Sequence, residues 1–413
     1  MSNTTYRVEE AATHQGAAVS VDRFRPDDPE IQKDPYPYYP LLREQRPVYR
    51  TSFGDQPCWV LSRRRDIQKV LLDPGTFSSR TTPLPIMLFQ DPPDHGRLRK
   101  MVAHMFTQAA VAPMEPAIER KAADLLDAAR TKGLCDVITD FAAPLTMTTI
   151  GLILGISVDE VERLRQLTRL QQDYVLSIRL QREPSAESRE ANDALVAFMA
   201  DLIRGRHYAD NRVVAALADM LGRGELTEEE CANFAVMLFI AGHSTTTNLI
   251  GNSVYMLSRR PGDLVRMREE EQFVAAFMEE VLRTRPSFHR NVRVTTRDAV
   301  IAGETIPAGS VVRLLLASAN RDPEFFENPE VFDPDLERRT NLSFGRGIHV
   351  CLGSWLARLE AATALRVFSR GVASVALDSD SALVRLSGGT FNEFGFEHLP
   401  VRLTARDAEK DRT

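Results

Sequence analysis

The sequence is short of several things, and each shortage removes a class of function. It has four cysteines in 413 residues, Cys58, Cys135, Cys231 and Cys351, scattered with no CxxC pair among them. Neither a disulfide framework nor a zinc site is therefore expected, and a reducing cytoplasm is the compartment that suits such thiols. There is no surplus of positive charge: the net charge is −6, which argues against nucleic acid as a partner. Long apolar runs are also missing, since the longest, Phe234–Gly242, is too short to cross a bilayer. Met1–Val21 has no basic segment followed by an apolar core, so neither a secretory signal nor a membrane anchor is expected. No Pro/Ser/Gly-rich linker, low-complexity run or internal repeat interrupts the chain. A chain above the usual single-core size is thus expected to form one large domain of two lobes over residues 21–405. Residues 1–20 and 406–413 are read as loose tails. A hydrophobic content of 43% is ample for such a core, and 26% charged residues suit a soluble surface. A monomer is expected.

What the chain does have is Phe344-Gly345-Arg346-Gly347-Ile348-His349-Val350-Cys351-Leu352-Gly353, a cysteine in a Gly-punctuated turn ahead of the amphipathic run Ser354–Leu365. Gly345, Gly347 and Gly353 permit backbone conformations and close approaches that a side chain would block. A cysteine so placed meets backbone N–H groups and the positive end of the following helix, which favours its thiolate. A thiolate held rigidly beneath a flat apolar cofactor is what an axial haem ligand must be. The alternative is a cysteine that packs as a small hydrophobe. The run resembles the haem-binding signature of the cytochrome P450 family, Phe-x-x-Gly-x-x-x-Cys-x-Gly, and matches it at every fixed position; Gly345 and His349 agree with the common bacterial form.

The resemblance implies a mainly α fold with a smaller β region and haem b (iron protoporphyrin IX) between a long central helix and the Cys loop. The β-rich lobe is expected from about 45–62 and 292–317 plus a C-terminal hairpin, and the α-rich lobe from about 90–285 and 354–370. Local patterns agree. Pro37–Gln45 reads as a short helix, and Val48–Thr51 and Cys58–Leu61 as hairpin strands around a Gly-Asp turn. Ile118–Lys132, Phe141–Ile153, Val158–Leu180 and Glu187–Arg206 carry period-3.6 apolar positions. Thr227-Glu228-Glu229-Glu230 is a capping box that opens a helix running to about Arg259.

Three more motifs extend the likeness over roughly Asp34 to Leu403. Asp91-Pro92-Pro93-Asp94-His95 opens a helix with His95 and Arg99 on one face. By itself that pair is a surface helix with a spare cation; in the family the pattern Asp-Pro-Pro-x-His-x-x-x-Arg holds the haem propionates. The resemblance adds Arg293 and His349 as further propionate ligands, and Phe344, Gly345, Gly353, Ala241 and Gly242 as haem-binding positions. Ala241-Gly242-His243-Ser244-Thr245-Thr246-Thr247 sits midway along the long helix, where small residues and consecutive hydroxyls let a groove or bulge open. Close packing on a neighbouring helix is the competing reading. It resembles the family's oxygen-binding segment, which assigns proton handling to Thr245, with Ser244 and Thr246 beside it. Ser244 stands where relatives carry an acid, and a hydroxyl relays a proton but cannot store one near neutral pH. Glu280 and Arg283 match the family's buried Glu-x-x-Arg pair. The arginine that completes it in relatives falls on Leu336, with Arg338 and Arg339 nearby.

As in the family, the expected reaction is oxidation of a hydrophobic small molecule, a bacterial secondary metabolite, with dioxygen as co-substrate. Electrons would come from NAD(P)H through a separate ferredoxin and its reductase, docking on Lys100, Arg338, Arg339, Arg346 and Arg358. Candidate substrate contacts are Ile86, Met87, Leu88 and Phe89 in the loop before His95, Val236, Phe239 and Ile240 on the long helix, Phe288, His289, Arg290 and Asn291 before Arg293, and Phe394 near the end. For most of these, ordinary packing is the alternative. Oxidative coupling of aromatic products would tolerate Ser244, a peroxide-driven oxygenase is disfavoured by Thr245, and a haem-based sensor is the non-enzymatic alternative.

Overall fold

Alternating apolar side chains on either side of Gly54-Asp55 fold as the hairpin β1 (Val48–Phe53) and β2 (Gln56–Leu61), with Val48 opposite Leu61. This computed structural model describes residues 19–205, 212–336, 340–381, 383–386 and 393–406. The chain divides into two units, one holding the described residues up to Thr81 with Glu269–Cys351 and Leu383–Glu397, the other Thr82–Arg268, Leu352–Ala382 and those from His398 onward.

The first unit is built on a five-stranded sheet that adds β3 (Phe77–Ser78), β4 (Arg290–Thr295) and β5 (Val311–Leu315) in the order β1-β2-β5-β4-β3. β2 runs parallel to β5, pairing Cys58 with Val311, while β4 runs antiparallel to β5, pairing Arg293 with Val312. Its apolar side chains enter two cores: Leu61, Ile67, Val312 and Leu314 on one side, Tyr39, Leu42, Val60 and Leu315 on the other. The helix Phe273–Thr284, which carries Glu280 and Arg283, belongs to this sheet-bearing unit rather than to the helical one where the sequence reading put it.

The second unit is mainly helical. Its helices include α1 (Asp94–Val102), α2 (Glu115–Lys132), α3 (Ala143–Leu154), α4 (Val158–Arg179), α5 (Ala186–Arg204), α6 (Glu228–Arg259) and α7 (Ser354–Gly371). A small sheet joins Leu134–Asp136, Pro400–Ala405 and Val372–Leu377. At α6 the capping box forms as its residues require: the Thr227 hydroxyl accepts from the Glu230 amide at 3.1 Å, and Glu230 accepts from the Thr227 amide at 2.9 Å. Its 32 residues span on the order of 50 Å, and Phe234, Leu238, Ile240 and Leu249 are all buried.

One stretch differs from the sequence reading. Val137–Ala142 winds as a π-helix and continues as α3, so Val137–Leu154 is long and apolar enough by composition to cross a membrane. Two-thirds of it (67%) is buried inside the protein, the environment of a core helix.

Candidate active site

The Cys loop lies in the sheet-bearing unit and is shaped by its glycines. Gly347 has a φ of 76°, and a Cβ there would come within 2.4 Å of the Leu71 carbonyl oxygen. Only a residue without a side chain lets the loop lie that close to the chain end of Arg64–Leu72. Gly345 is also left-handed, with a φ of 71°. The Cys351 amide donates to the Phe344 carbonyl at 2.8 Å and that of Val350 to Gly347 at 3.1 Å, closing the turn. The result separates the four cysteines. Cys58, Cys135 and Cys231 are buried, and burial pushes the Cys135 thiol up to about 12 and that of Cys231 to about 11. Cys351 alone is exposed. A group needing a thiolate donor has one accessible sulfur to bind, on a loop closed by backbone hydrogen bonds. That fits a thiolate-ligated haem.

The four cationic candidates are placed as follows. In the sheet-bearing unit Arg293 is buried on β4, its guanidinium donating to Asn291 Oδ1 at 2.9 Å and to the Val292 carbonyl at 2.7 Å. His349 is half-buried in the Cys loop. In the helical unit His95 is buried and Arg99 half-buried, one turn apart on α1.

On α6, four consecutive hydroxyls fold back on the helix. Ser244, Thr245, Thr246 and Thr247 donate to the carbonyls of Ile240, Ala241, Gly242 and His243, at 3.3, 3.0, 3.5 and 2.9 Å. No bulge opens: the helix is continuous, each hydroxyl taking a carbonyl four residues back. Burial still varies around this turn. Ala241 is exposed and Ser244 and Thr245 half-buried, whereas His243, Thr246 and Thr247 are buried. The open stripe therefore carries the two hydroxyls that the sequence singles out for proton handling. Gly242 has a packing reason instead, since a Cβ there would lie 2.8 Å from Ile150 Cδ1 on α3. Thr247 continues onto the same helix, its hydroxyl 2.7 Å from that of Thr146. His243 Nδ1 donates to the Phe239 carbonyl at 2.8 Å, and burial lowers its pKa, which favours the neutral ring.

Glu280 and Arg283 form a buried bidentate pair at 2.6 and 2.8 Å. The remaining Arg283 donors reach the carbonyls of Pro329, Val331 and Asn320. Glu280 takes the Asp333 amide at 2.8 Å as its further donor. Backbone thus supplies what a third side chain would, beside Leu336; Arg338 and Arg339 lie outside the described residues.

The candidate substrate residues divide. Ile86 is half-buried and Leu88 is 44% exposed, while Met87 and Phe89 are buried in a single 3-10 turn. Val236, Phe239 and Ile240 pack into the helical core, Phe239 fully enclosed with its ring 5.4 Å from that of His243. They serve packing. His289 is buried between two tyrosines, with Tyr36 Oη 3.1 Å from Nε2 and Tyr39 Oη 3.1 Å from Nδ1. Phe394, also buried, stacks on it at 4.2 Å. Burial, with Arg290, Arg321 and Arg285 nearby, holds the His289 pKa well below its usual value. Arg290 is buried and donates to the Pro26 carbonyl. His289, Arg290 and Phe394 are therefore engaged inside the sheet-bearing unit rather than offered to a ligand, whereas Phe288 and Asn291 are only half-buried.

One buried acid escaped the sequence reading. Glu360, on α7, is fully buried, no donor bonds either carboxyl oxygen, and burial raises it to about 8. The signal was present: Leu356, Glu360, Ala364 and Phe368 share one buried row at four-residue spacing, so the acid interrupts an apolar stripe.

Known proteins resemble this chain in sequence and fold. The cytochrome P450 family profile matches residues 32–368. The biotin biosynthesis cytochrome P450 of Bacillus subtilis is 35% identical over 363 residues, 84% of this chain and 91% of that one. The vitamin D(3) 25-hydroxylase of Pseudonocardia autotrophica is 32% identical over 91% of this chain and 95% of its own length. Among solved structures, P450BioI in complex with an acyl carrier protein ligated to hexadec-9Z-enoic acid superposes with a TM-score of 0.82 at 34% identity, covering 91% of this chain and 100% of that one. A family profile over most of the chain, relatives above 30% identity and a shared fold lead to one conclusion: the chain belongs to the cytochrome P450 family, whose members carry haem.

Proposed function

We propose that this protein is a haem-thiolate monooxygenase that oxidises a hydrophobic small molecule, most simply a bacterial secondary metabolite. The observation that carries this reading is Cys351, the one exposed cysteine of four, set in a turn that matches the family signature. Cys351 would bind the iron, and His95, Arg99, Arg293 and His349 would hold the propionates, since two carboxylates under a protein roof need cations. The haem would supply reductive activation of dioxygen, with the thiolate donating electron density that favours O–O cleavage.

This chain's own residues supply the rest. Thr245 and Ser244 lie on the more open side of α6, and both hydroxyls already donate to carbonyls one turn back. Each oxygen thus keeps its lone pairs for an incoming hydrogen bond, and each hydroxyl must rotate off its carbonyl to donate its own proton onward. Neither can act as the acid that relatives place at Ser244, so the proton reservoir lies elsewhere. Ile86 and Leu88 present partly exposed apolar surface to a substrate. Electrons would come from NAD(P)H through a separate ferredoxin and reductase, with Lys100, Arg346 and Arg358 as docking cations on the described surface.

Turnover under isotopically labelled dioxygen tests the reading. One labelled oxygen atom in the product is expected. A coupled product without label would instead establish oxidative coupling, and no turnover with several electron donors would favour a haem-based sensor.

A further inference from the structure

The Cys loop carries two left-handed glycines, Gly345 and Gly347, so its backbone has more freedom than an ordinary turn. The bonds from the Cys351 amide to Phe344 and from the Val350 amide to Gly347 fix the shape of the loop. They do not fix where the loop stands on its unit. Gly347 places it on one side, against the Leu71 carbonyl. The other side is placed through the two residues that lead into it, Leu342 and Ser343.

Asn320 holds both. It ends the short helix Leu316–Ala319 and is fully buried. Its Oδ1 accepts from the Leu342 amide at 2.6 Å, and its Nδ2 donates to the Ser343 hydroxyl at 2.8 Å. The Ser343 hydroxyl in turn donates to the Leu282 carbonyl at 2.5 Å. Only an oxygen can accept from Leu342, which settles the orientation of the amide. The serine's one proton goes to Leu282, which leaves a lone pair for Asn320. The Asn320 backbone carbonyl accepts from Arg283 at 3.2 Å. One side chain therefore joins the helix Phe273–Thr284, with its Glu280–Arg283 pair, to the two residues before Phe344, and the Phe344 carbonyl takes the Cys351 amide at 2.8 Å.

We infer that Asn320 is a positioning residue for the thiolate: with Ser343 it sets where Cys351 stands, and through that how firmly the sulfur holds the haem. This rests on the reading of Cys351 as the haem ligand. A ligating atom has to be held to within about 0.5 Å by the groups behind it, and a loop with two left-handed glycines cannot supply that by itself. Partners behind a ligand govern how strongly it holds its metal. Asn320 and Ser343 touch neither the sulfur nor any atom bonded to it, so they act only through the loop.

The test compares haem-loaded wild type with Asn320→Ala, Asn320→Asp, Ser343→Ala and Ser343→Thr. Haem loss is followed by transfer to apomyoglobin, the ferrous carbon monoxide spectrum reports thiolate ligation, and urea unfolding reports stability. Asn320→Ala and Ser343→Ala are expected to lose haem at least about tenfold faster than wild type, with part of the carbon monoxide band moved to the non-thiolate position. The double variant should be no worse than Asn320→Ala, because both changes remove one link. Asn320→Asp keeps the acceptor for Leu342 but loses the donor to Ser343, so it should lose haem at least as fast as Ser343→Ala. Ser343→Thr keeps the hydroxyl and should stay within about twofold of wild type. Haem loss within about twofold of wild type in Ser343→Ala overturns the inference, and this serine pair decides the matter even where Asn320→Ala does not fold. Equally fast loss from wild type brought by urea to the variants' stability also overturns it, since the link would then be structural alone. A wild type without the red-shifted band overturns the ligand assignment and the inference with it, whereas a wild type with that band and variants that match it overturn the role of Asn320 only.

Discussion

Replacing Glu360 with glutamine should stabilise the protein, and increasingly so as the pH rises. The carboxyl is fully buried on α7, no donor bonds to it, and its neighbour Thr149 already gives its hydroxyl to the Leu145 carbonyl at 3.2 Å. A protonated carboxyl suits that setting, since it can donate to the Thr149 oxygen; a carboxylate finds nothing there to accept from. Burial accordingly moves the group from 4.5 to about 8. At about 1.36 kcal/mol for each pKa unit, the difference is on the order of 5 kcal/mol. The sign follows from proton counts. Between about pH 4.5 and 8 the folded protein holds this proton and the unfolded chain has released it, so stability falls as pH rises through that window. Glutamine has no proton to hold and loses that slope. Urea denaturation of wild type and Glu360→Gln at about pH 5, 6.5 and 8 reads the effect: the two should be similar at the lowest pH and diverge by up to several kcal/mol at the highest. A constant difference across the window would refute the reasoning, because it would mean the folded protein ionises Glu360 as readily as the unfolded chain.

Two further perturbations probe the supports of the Cys loop and its unit. Glu280→Ala leaves Arg283 buried with its principal counter-charge gone, so thermal or urea unfolding should show a loss of roughly 3–5 kcal/mol; a loss below about 1 kcal/mol would mean the carbonyls of Asn320, Pro329 and Val331 suffice alone. Gly347→Ala forces a left-handed alanine against the Leu71 carbonyl and should cost at least about 1–2 kcal/mol and weaken haem retention. Gly353→Ala, where φ is −84° and a Cβ meets no protein atom within 4 Å, should leave stability to urea within about 1 kcal/mol of wild type.

What could be read from the sequence was what short-range chemistry decides. The capping box at Thr227 and Glu230, the hairpin around Gly54 and the turn before Cys351 are each settled by residues a few positions apart, and each forms as its chemistry requires. The remainder depended on partners distant in the chain. Whether Arg338 or Arg339 replaces the arginine missing at Leu336 was left open; Glu280 draws a further donor from the Asp333 amide and Arg283 finds three carbonyl acceptors, and backbone groups carry no signature in a sequence. His289 read as a polar residue available to a ligand; tyrosines some 250 positions away claim both its nitrogens. Phe239, read as a substrate contact, and Gly242, within the oxygen-segment pattern, both pack against the helical core, because one turn of α6 presents residues to both sides. Glu360 interrupts an apolar row that the sequence displays, but only burial shows that no donor reaches its carboxyl.

The central claim is that Cys351 is the thiolate that ligates haem iron, and the ferrous carbon monoxide absorption spectrum tests it most directly. Purified wild type should show the strongly red-shifted Soret band of a thiolate ligand. Cys351→Ala should lose it, while Cys135→Ala, whose thiol is buried, should keep it. A wild type that stays colourless after haem supplementation, a spectrum of the histidine-ligated type, or a red-shifted band that survives in Cys351→Ala would contradict the account.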